Sequence, residues 1–287
     1  MKQILLFVLL NLLSIQLYGQ SPYFKPTEDP KPNGNVWVKV ESLSDEFDGK
    51  SLNVSKWQKE PIGNGWIWDG RPPGLFKADN VKVKHGKLNV TVSKLDAPLR
   101  KHGDIYTHQG GIVRAINPGN VGWYFECKMK ANSTVMSSTF WLMSKYHCEK
   151  KQELDIQECV GRVTTKTEEW AKEWDQIFHS NAIHRKTKCH PVSERDQNFV
   201  ITETKNHEKF YIYGAWWKSS KEIVCFLNGT YVYTLYPTVE WDLPAYIHMA
   251  IETYDWNPIP DDGGLIESGT WSERTTQYEW VRTWKLD

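Results

Sequence analysis

The segment Glu153-Leu154-Asp155-Ile156-Gln157-Glu158 sets three carboxylates among apolar residues, between the uncharged stretches Ser137-Ser138-Thr139-Phe140-Trp141-Leu142-Met143 and Cys159-Val160-Gly161. Flanks of this kind belong to a buried strand. Side chains alternate faces along a strand, so Glu153 and Asp155 share one face while Leu154 and Ile156 point into a core. Glu158 then falls on the wrong face. One extra residue, a β-bulge at about Ile156-Gln157, restores the phase and turns Glu158 to the side of Glu153 and Asp155.

Crowded acids raise one another's pKa and lose hydration, which costs stability, and a function that needs them together explains the crowding. Glycoside hydrolysis is one. A carboxylate attacks the anomeric carbon, and a second carboxyl, held protonated, gives the leaving oxygen its proton. In the retaining version the two lie roughly 5 to 5.5 Å apart, within reach across a bulged strand, with Asp155 between them to tune both. The same spacing also fits a solvated face with acids on alternate positions, and the pattern alone does not choose between the two.

Outward from this strand the chain reads as β-structure. Asn80 to Ser93 alternates as a hairpin around His85-Gly86, and Gly110 to Arg114 and Val121 to Lys130 follow as strands. Phe210 to Trp217 and Glu222 to Tyr236 resume the pattern, and Asn228-Gly229 is a hairpin turn of the type that needs positive φ. Ala245 to Thr253 and Tyr278 to Leu286 complete the series. Thr167 to Phe178 has the spacing of a surface helix, with Trp170, Trp174, Ile177 and Phe178 behind a Thr cap. No βαβ alternation or fixed repeat is visible. The expected fold is therefore all-β, a sandwich of two antiparallel sheets in a single domain.

Composition narrows the function. Lys+Arg and Asp+Glu both number 35, with no basic run, so neither nucleic acid nor a membrane surface is an expected partner. Fifteen Trp and thirteen Tyr against a hydrophobic fraction of 40% supply flat faces for sugar rings as well as strand core. Residues 1–19 carry Lys2 and the apolar run Ile4 to Leu10, the layout of a secretory signal peptide too short to span a bilayer, so the protein is expected to be secreted or periplasmic. Residues 20–35 hold four prolines and read as an extended leader, with the folded part beginning at Val36. Of five cysteines, Cys148 and Cys189 lie in loop-like sequence and are the candidate bridge, while Cys127, Cys159 and Cys225 belong inside strands.

The stretch Gly65-Trp66-Ile67-Trp68-Asp69-Gly70-Arg71-Pro72-Pro73-Gly74-Leu75-Phe76 is a loop by its glycines and prolines. A Trp68 ring with the Arg71 guanidinium three residues on can stack on a sugar and bind its hydroxyls or a sulfate ester; a loop tucked under its own tryptophans is the plainer alternative.

Together, Ser44-Asp45-Glu46-Phe47-Asp48-Gly49, the Trp68–Phe76 loop, Met136 to Met143, Glu153 to Gly161 and the closing Tyr278-Glu279-Trp280-Val281-Arg282 resemble glycoside hydrolase family 16, in the branch of β-agarases and β-porphyranases. The resemblance covers nearly all of residues 36–287, the expected catalytic domain. It implies a jelly-roll β-sandwich with an open concave substrate cleft, a Glu153 nucleophile, a Glu158 acid/base, and Asp155 orienting the nucleophile. It further implies that Trp68 and Arg71 bind sugar in the negative subsites, that Trp141 forms an aromatic wall, and that His179 and Asn181 lie near the cleavage point. The chemistry needs no cofactor. Some members hold a structural calcium, for which Gly86 (through its carbonyl) and Glu279 are the positional candidates, Glu279 standing where some relatives have Asp.

The substrate implied is a red-algal galactan, and a monomer is expected. Porphyran carries a 6-sulfate where agarose has an anhydro bridge; Arg71, with His147, Lys150 and Lys151 ahead of the motif, favours porphyran. A β-agarase with the same catalytic residues is the nearest alternative. A laminarinase is disfavoured by Gln152 and the Arg-Pro-Pro-Gly loop, and a lectin-like binding protein by the presence of both glutamates.

Overall fold

The alternating pattern resolves into strands across residues 21–287, which a computed structural model describes; the signal-peptide reading of residues 1–19 lies outside these. One sheet runs β16 (Thr230–Leu235), β15 (Glu222–Leu227), β14 (Tyr211–Ser219), β9 (Tyr124–Lys130), β18 (Thr275–Leu286), β6 (Leu88–Thr91) and β5 (Val81–Val83), with β1 (Trp37–Lys39) also paired to β18. The other runs β13 (Glu194–Ile201), β12 (Ile177–His184), β11 (Gln152–Val160), β10 (Ser137–Ser144), β17 (Ala245–Ile251), β8 (Asp104–Ala115), β4 (Gly74–Phe76) and β3 (Gly70–Arg71). β2 (Trp57–Gln58) and β7 (Ser93–Lys101) add to β8. All pairings are antiparallel except β4 with β8. The architecture is the expected jelly-roll sandwich.

The core lies between the sheets. Phe140 and Leu142 of β10 and Leu154, Ile156 and Cys159 of β11 face Cys127 and Met129 of β9 and Tyr278 and Val281 of β18, all buried. Each such aliphatic side chain contributes about 1.5 to 3 kcal/mol through burial. Filling one face of β11 in this way fixes its register, so the alternate residues are committed to the outer face. Both predicted hairpins form: β5 pairs with β6, and β15 with β16 through Asn228 and Gly229 at φ 50° and 76°.

The helix expected over 167–178 is absent. Only a three-residue 3₁₀ turn, Glu169–Ala171, forms before β12 begins at Ile177. The Thr167 hydroxyl, read as a cap, bonds Asn257 instead. Trp170 and Trp174 keep their proximity by packing on Trp256, with ring centroids at 5.1 and 4.9 Å. Their spacing therefore reflects tertiary aromatic packing rather than helical periodicity.

The proline-rich leader carries two turns, at 26–27 and 33–34, and packing contacts begin before Val36. Residues 21–35 lie on the outer face of the first sheet, where Phe24 packs against Tyr124 and Phe226 at 5.0 and 5.1 Å over a second apolar cluster that includes Trp37, Trp216 and Trp284. Lys25 N–H donates to the Gly229 carbonyl at 2.9 Å, an approach that a side chain at Gly229 would obstruct. Beneath the leader lies Glu126, fully buried, accepting from the Trp284 indole at 2.9 Å and from the Tyr23 amide at 3.1 Å. Burial pushes its carboxyl up to about 7, against the lowering effect of those hydrogen bonds.

Between the ordinary glutamate value of 4.5 and about 7, the folded chain keeps a proton on Glu126 that the unfolded chain loses. Stability should therefore fall as pH rises through that window, by about 3 kcal/mol from this group. Urea unfolding at pH 5.5 and 8 should show the fall in the native chain and a flatter dependence in Glu126→Gln.

Candidate active site

The β10–β11 register places the three acids. Met143 pairs with Glu153, Trp141 with Asp155, Phe140 with Gln157 and Thr139 with Glu158, leaving Ile156 as the extra residue opposite the Phe140–Trp141 step. The bulge thus sits where the sequence reading put it. Beyond Asp155–Asn181 the β11–β12 ladder lapses, and side chains replace it. The buried Gln157 amide donates to the Ile177 carbonyl at 2.9 Å and accepts from the His179 N–H at 3.2 Å, and the Ser180 hydroxyl donates to the Ile156 carbonyl at 2.7 Å. These side chains satisfy the Ile177 and Ile156 carbonyls and the His179 N–H where the strand ladder does not.

Glu153, Asp155 and Glu158 all line a cleft of about 780 Å³ on the outer face of the second sheet. Each has a different electrostatic frame. Glu153 is held by Arg185, whose Nε and Nη2 donate to its two carboxylate oxygens at 2.9 and 2.5 Å. Asp155 is pushed well above the usual carboxylate range by burial and by the charges of Glu153 and Glu158, which favours its protonated form. Burial would also raise Glu158, but contact with His179 and a 2.6 Å hydrogen bond from the Tyr254 hydroxyl outweigh it, and its pKa is lowered. His179 Nδ1 stands 3.5 Å from Glu158 Oε2, at the outer limit of hydrogen-bond reach.

Around the acids the cleft is aromatic and cationic. Trp141 stacks on His248 at 4.2 Å, and its buried indole N–H has no acceptor among the described residues. Trp68 packs edge-on to Phe76 and Trp141 at 4.8 and 6.2 Å. Arg114, buried without a carboxylate partner and with its pKa lowered to about 10 by burial, donates to the carbonyls of Pro61 and Trp68 at 2.6 and 3.0 Å and so fixes the loop that presents Trp68. Arg71 lies over the Tyr254 ring and pairs through Nε with Glu252 at 2.9 Å. Burial drives Glu252 up to about 7, with Arg71 opposing and the neighbouring acids assisting.

The structure therefore brings Trp68, Arg71 and Trp141 to the cleft with the three acids. His179 and Asn181 lie beneath that lining, His179 against Glu158 and Asn181 opposite Asp155 on β12. Of the basic residues ahead of the motif, Lys151 reaches the cleft, whereas Lys150 is paired with Asp242 at 2.7 Å and His147 is not part of the lining. Sequence reasoning did not pick out Arg185, Glu252 or Tyr254; nothing local to these residues signals a site, and only the packing of β12 and β17 against β10 and β11 gathers them. The expected bridge Cys148–Cys189 forms, and Cys127, Cys159 and Cys225 are free and buried.

The calcium candidates do not form a fitting donor set. Lys128 Nζ takes the Glu279 carboxylate at 2.6 Å, and Lys87, Lys128 and Lys130 converge on the Phe210 ring at 5.8 to 5.9 Å. Those ammonium groups would repel a divalent cation, and no cluster of three or more His, Cys, Asp or Glu suited to a metal occurs among the described residues.

The family model for the GH16 domain of β-porphyranases A–D matches residues 37–286. Over 292 residues the chain is 42% identical to β-porphyranase B of Zobellia galactanivorans, spanning 99% of this chain and 97% of that protein. It is 36% identical to β-porphyranase B of Phocaeicola plebeius, over 89% of this chain and 86% of that one. The crystal structure of porphyranase B from Zobellia galactanivorans superimposes with a TM-score of 0.86 at 42% identity, covering 93% of this chain and 99% of that chain. β-Agarase A from the same organism shares the fold, with a TM-score of 0.75 at 19% identity over 91% and 97% of the two chains.

The Cys148–Cys189 bridge closes a separation of 41 residues and ties the β10–β11 loop to the β12–β13 loop. The chain-entropy effect of a loop that size is about 4 kcal/mol. Guanidinium unfolding of Cys148→Ser/Cys189→Ser should show a loss approaching that figure.

Proposed function

The chain belongs to glycoside hydrolase family 16, within its β-porphyranase group, and from that membership we propose that it is a β-porphyranase acting on sulfated red-algal galactan with retention of configuration. The observation that carries the catalytic reading is the bulge at Ile156, which turns Glu158 to the face of Glu153 and Asp155 in a closed-backed cleft. Arg71, Lys151 and Arg185 on the cleft lining support a sulfated polymer over a neutral one. Residues 1–19 would be removed on export, leaving an enzyme that meets its polymer outside the cytoplasm.

In the first step Glu153 attacks the anomeric carbon as Glu158 transfers its proton to the glycosidic oxygen, so that bond breaks and a glycosyl ester on Glu153 forms. Glu158, now ionised, takes a proton from water, whose oxygen displaces Glu153 from the anomeric carbon. Two inversions leave the configuration unchanged. Asp155, whose protonated form is favoured by burial and by its acid neighbours, orients and tunes Glu153 from between the two glutamates. In the free enzyme the surroundings favour the proton on Asp155 over Glu158; a bound polymer excludes water and raises Glu158 toward the value a general acid needs.

The purified chain should release reducing ends from porphyran in preference to agarose and none from laminarin. Glu153→Gln and Glu158→Gln should each lower kcat by about 10³-fold or more while still binding polymer; appreciable turnover by either would overturn the assignment.

Tyr254 stabilises the ionised form of Glu158, so Tyr254→Phe leaves the last proton of the acid cluster more tightly held. The basic limb of the pH–rate profile should move to higher pH by about one unit, the worth of a hydrogen bond to a charged group. A limb that stays put, or moves down, would remove Tyr254 from the proton balance.

A further inference from the structure

The catalytic assignment leaves one contact unexplained. A nucleophile needs a free carboxylate oxygen, yet both oxygens of Glu153 carry a hydrogen bond from Arg185. The partners are unequally placed: the Glu153 side chain is 8% exposed and that of Arg185 43%, so the guanidinium presents its outer edge to the cleft. Its backbone is anchored. Arg185 N–H donates to the Lys151 carbonyl at 2.8 Å, and the loop beyond is tied to Cys148 by the Cys148–Cys189 bridge and by the Thr187 hydroxyl.

Arg185 and Lys151 thus form a cationic lip beside Glu153. Lys151 has no carboxylate within ion-pairing distance among the described residues, whereas Arg71 is paired with the buried Glu252 and Lys150 with Asp242. Lys151 thus adds an unpaired cation beside the Arg185–Glu153 pair where polymer must pass. Guanidinium binds sulfate by the same two-pronged geometry with which it binds carboxylate.

We propose that Arg185 is a specificity-determining residue that reads a sulfate half-ester on the bound polymer and, in turning to it, releases Glu153 for attack. This rests on Glu153 being the nucleophile of a galactan hydrolase. A neutral polymer offers no competing oxyanion, so the guanidinium stays on Glu153 and the nucleophile stays hindered. Sulfate on the substrate then acts on turnover as well as on binding.

The test is a double-mutant cycle in binding, run in a Glu158→Gln background so that nothing is cleaved. Calorimetric titrations with a sulfated porphyran oligosaccharide and a neutral agarose oligosaccharide would compare the background chain with Glu153→Gln, Arg185→Gln and both together. Arg185→Gln should weaken the sulfated ligand about tenfold and change the neutral one less than about twofold. Glu153→Gln, by freeing the guanidinium, should tighten the sulfated ligand several-fold, and only while Arg185 is present. Equal weakening of both ligands, or a Glu153→Gln gain that survives without Arg185, would overturn the proposal. Arg185→Lys, which keeps the charge but not the fork, should recover less than half of the lost binding free energy; full recovery would overturn the two-pronged reading. Reducing-end release by the native chain separates the two levels. An active enzyme with an additive cycle defeats this proposal alone, and a chain silent on porphyran and agarose defeats the catalytic reading and this proposal with it.

Discussion

The cleft depends on the two hydrogen bonds that the Gln157 amide makes to β12 where the strand ladder lapses. A bulge at Ile156 leaves backbone groups of β11 and β12 without strand partners, and in a buried sheet such groups would be costly. Gln157 and Ser180 satisfy them from within. With the bulge stabilised, Leu154, Ile156 and Cys159 can all enter the core while Glu153, Asp155 and Glu158 all leave it. Core packing and acid clustering are therefore the same geometric event.

Three carboxyls in one wall would repel one another into a shared protonation state if their surroundings were alike. Here they differ. A guanidinium pairs with Glu153, Tyr254 and His179 favour the ionised form of Glu158, and Asp155 has no such partner, so burial and its acid neighbours favour its protonated form. The partners come from separate elements: Arg185 from the end of β12, His179 from its middle, Tyr254 from beyond β17. A second buried acid, Glu252, is balanced by Arg71 in the same manner a short distance away. Glu153, Glu158 and Glu252 are thus each held by a group from a neighbouring strand or loop, and Asp155 alone is not.

Much of this was legible because strand chemistry is periodic. The bulge, both hairpins and the sandwich follow from alternation and turn residues, while the cleft positions of Trp68, Arg71 and Trp141 follow from the family resemblance. The helix expected at 167–178 failed because tryptophan spacing there serves packing on Trp256 rather than a helical face. The calcium candidates failed because position says nothing about neighbours, and the neighbours of Glu279 are lysines. Arg185 and Tyr254 are far in sequence from the acids they touch, 32 and 96 residues away, and carry no local pattern. The docking of Phe24 depends on an aromatic cluster assembled from five strands, which the leader's composition does not signal.

That docking has a bearing on how the chain reaches its native state. β1 pairs with β18 in register Trp37–Leu286, and Glu126 joins the amide of Tyr23 to the indole of Trp284. The first and last stretches of the described chain are therefore neighbours in one sheet. No partial chain emerging from synthesis can complete that sheet, since its final strand arrives last and sits between β9 and β6. The topology is dominated by distant pairings, which favours slow folding from a full-length chain over stepwise folding during synthesis. It also sets Val36 against Asp287, so joining the chain at those two positions and opening it at an exposed turn would preserve every strand pairing.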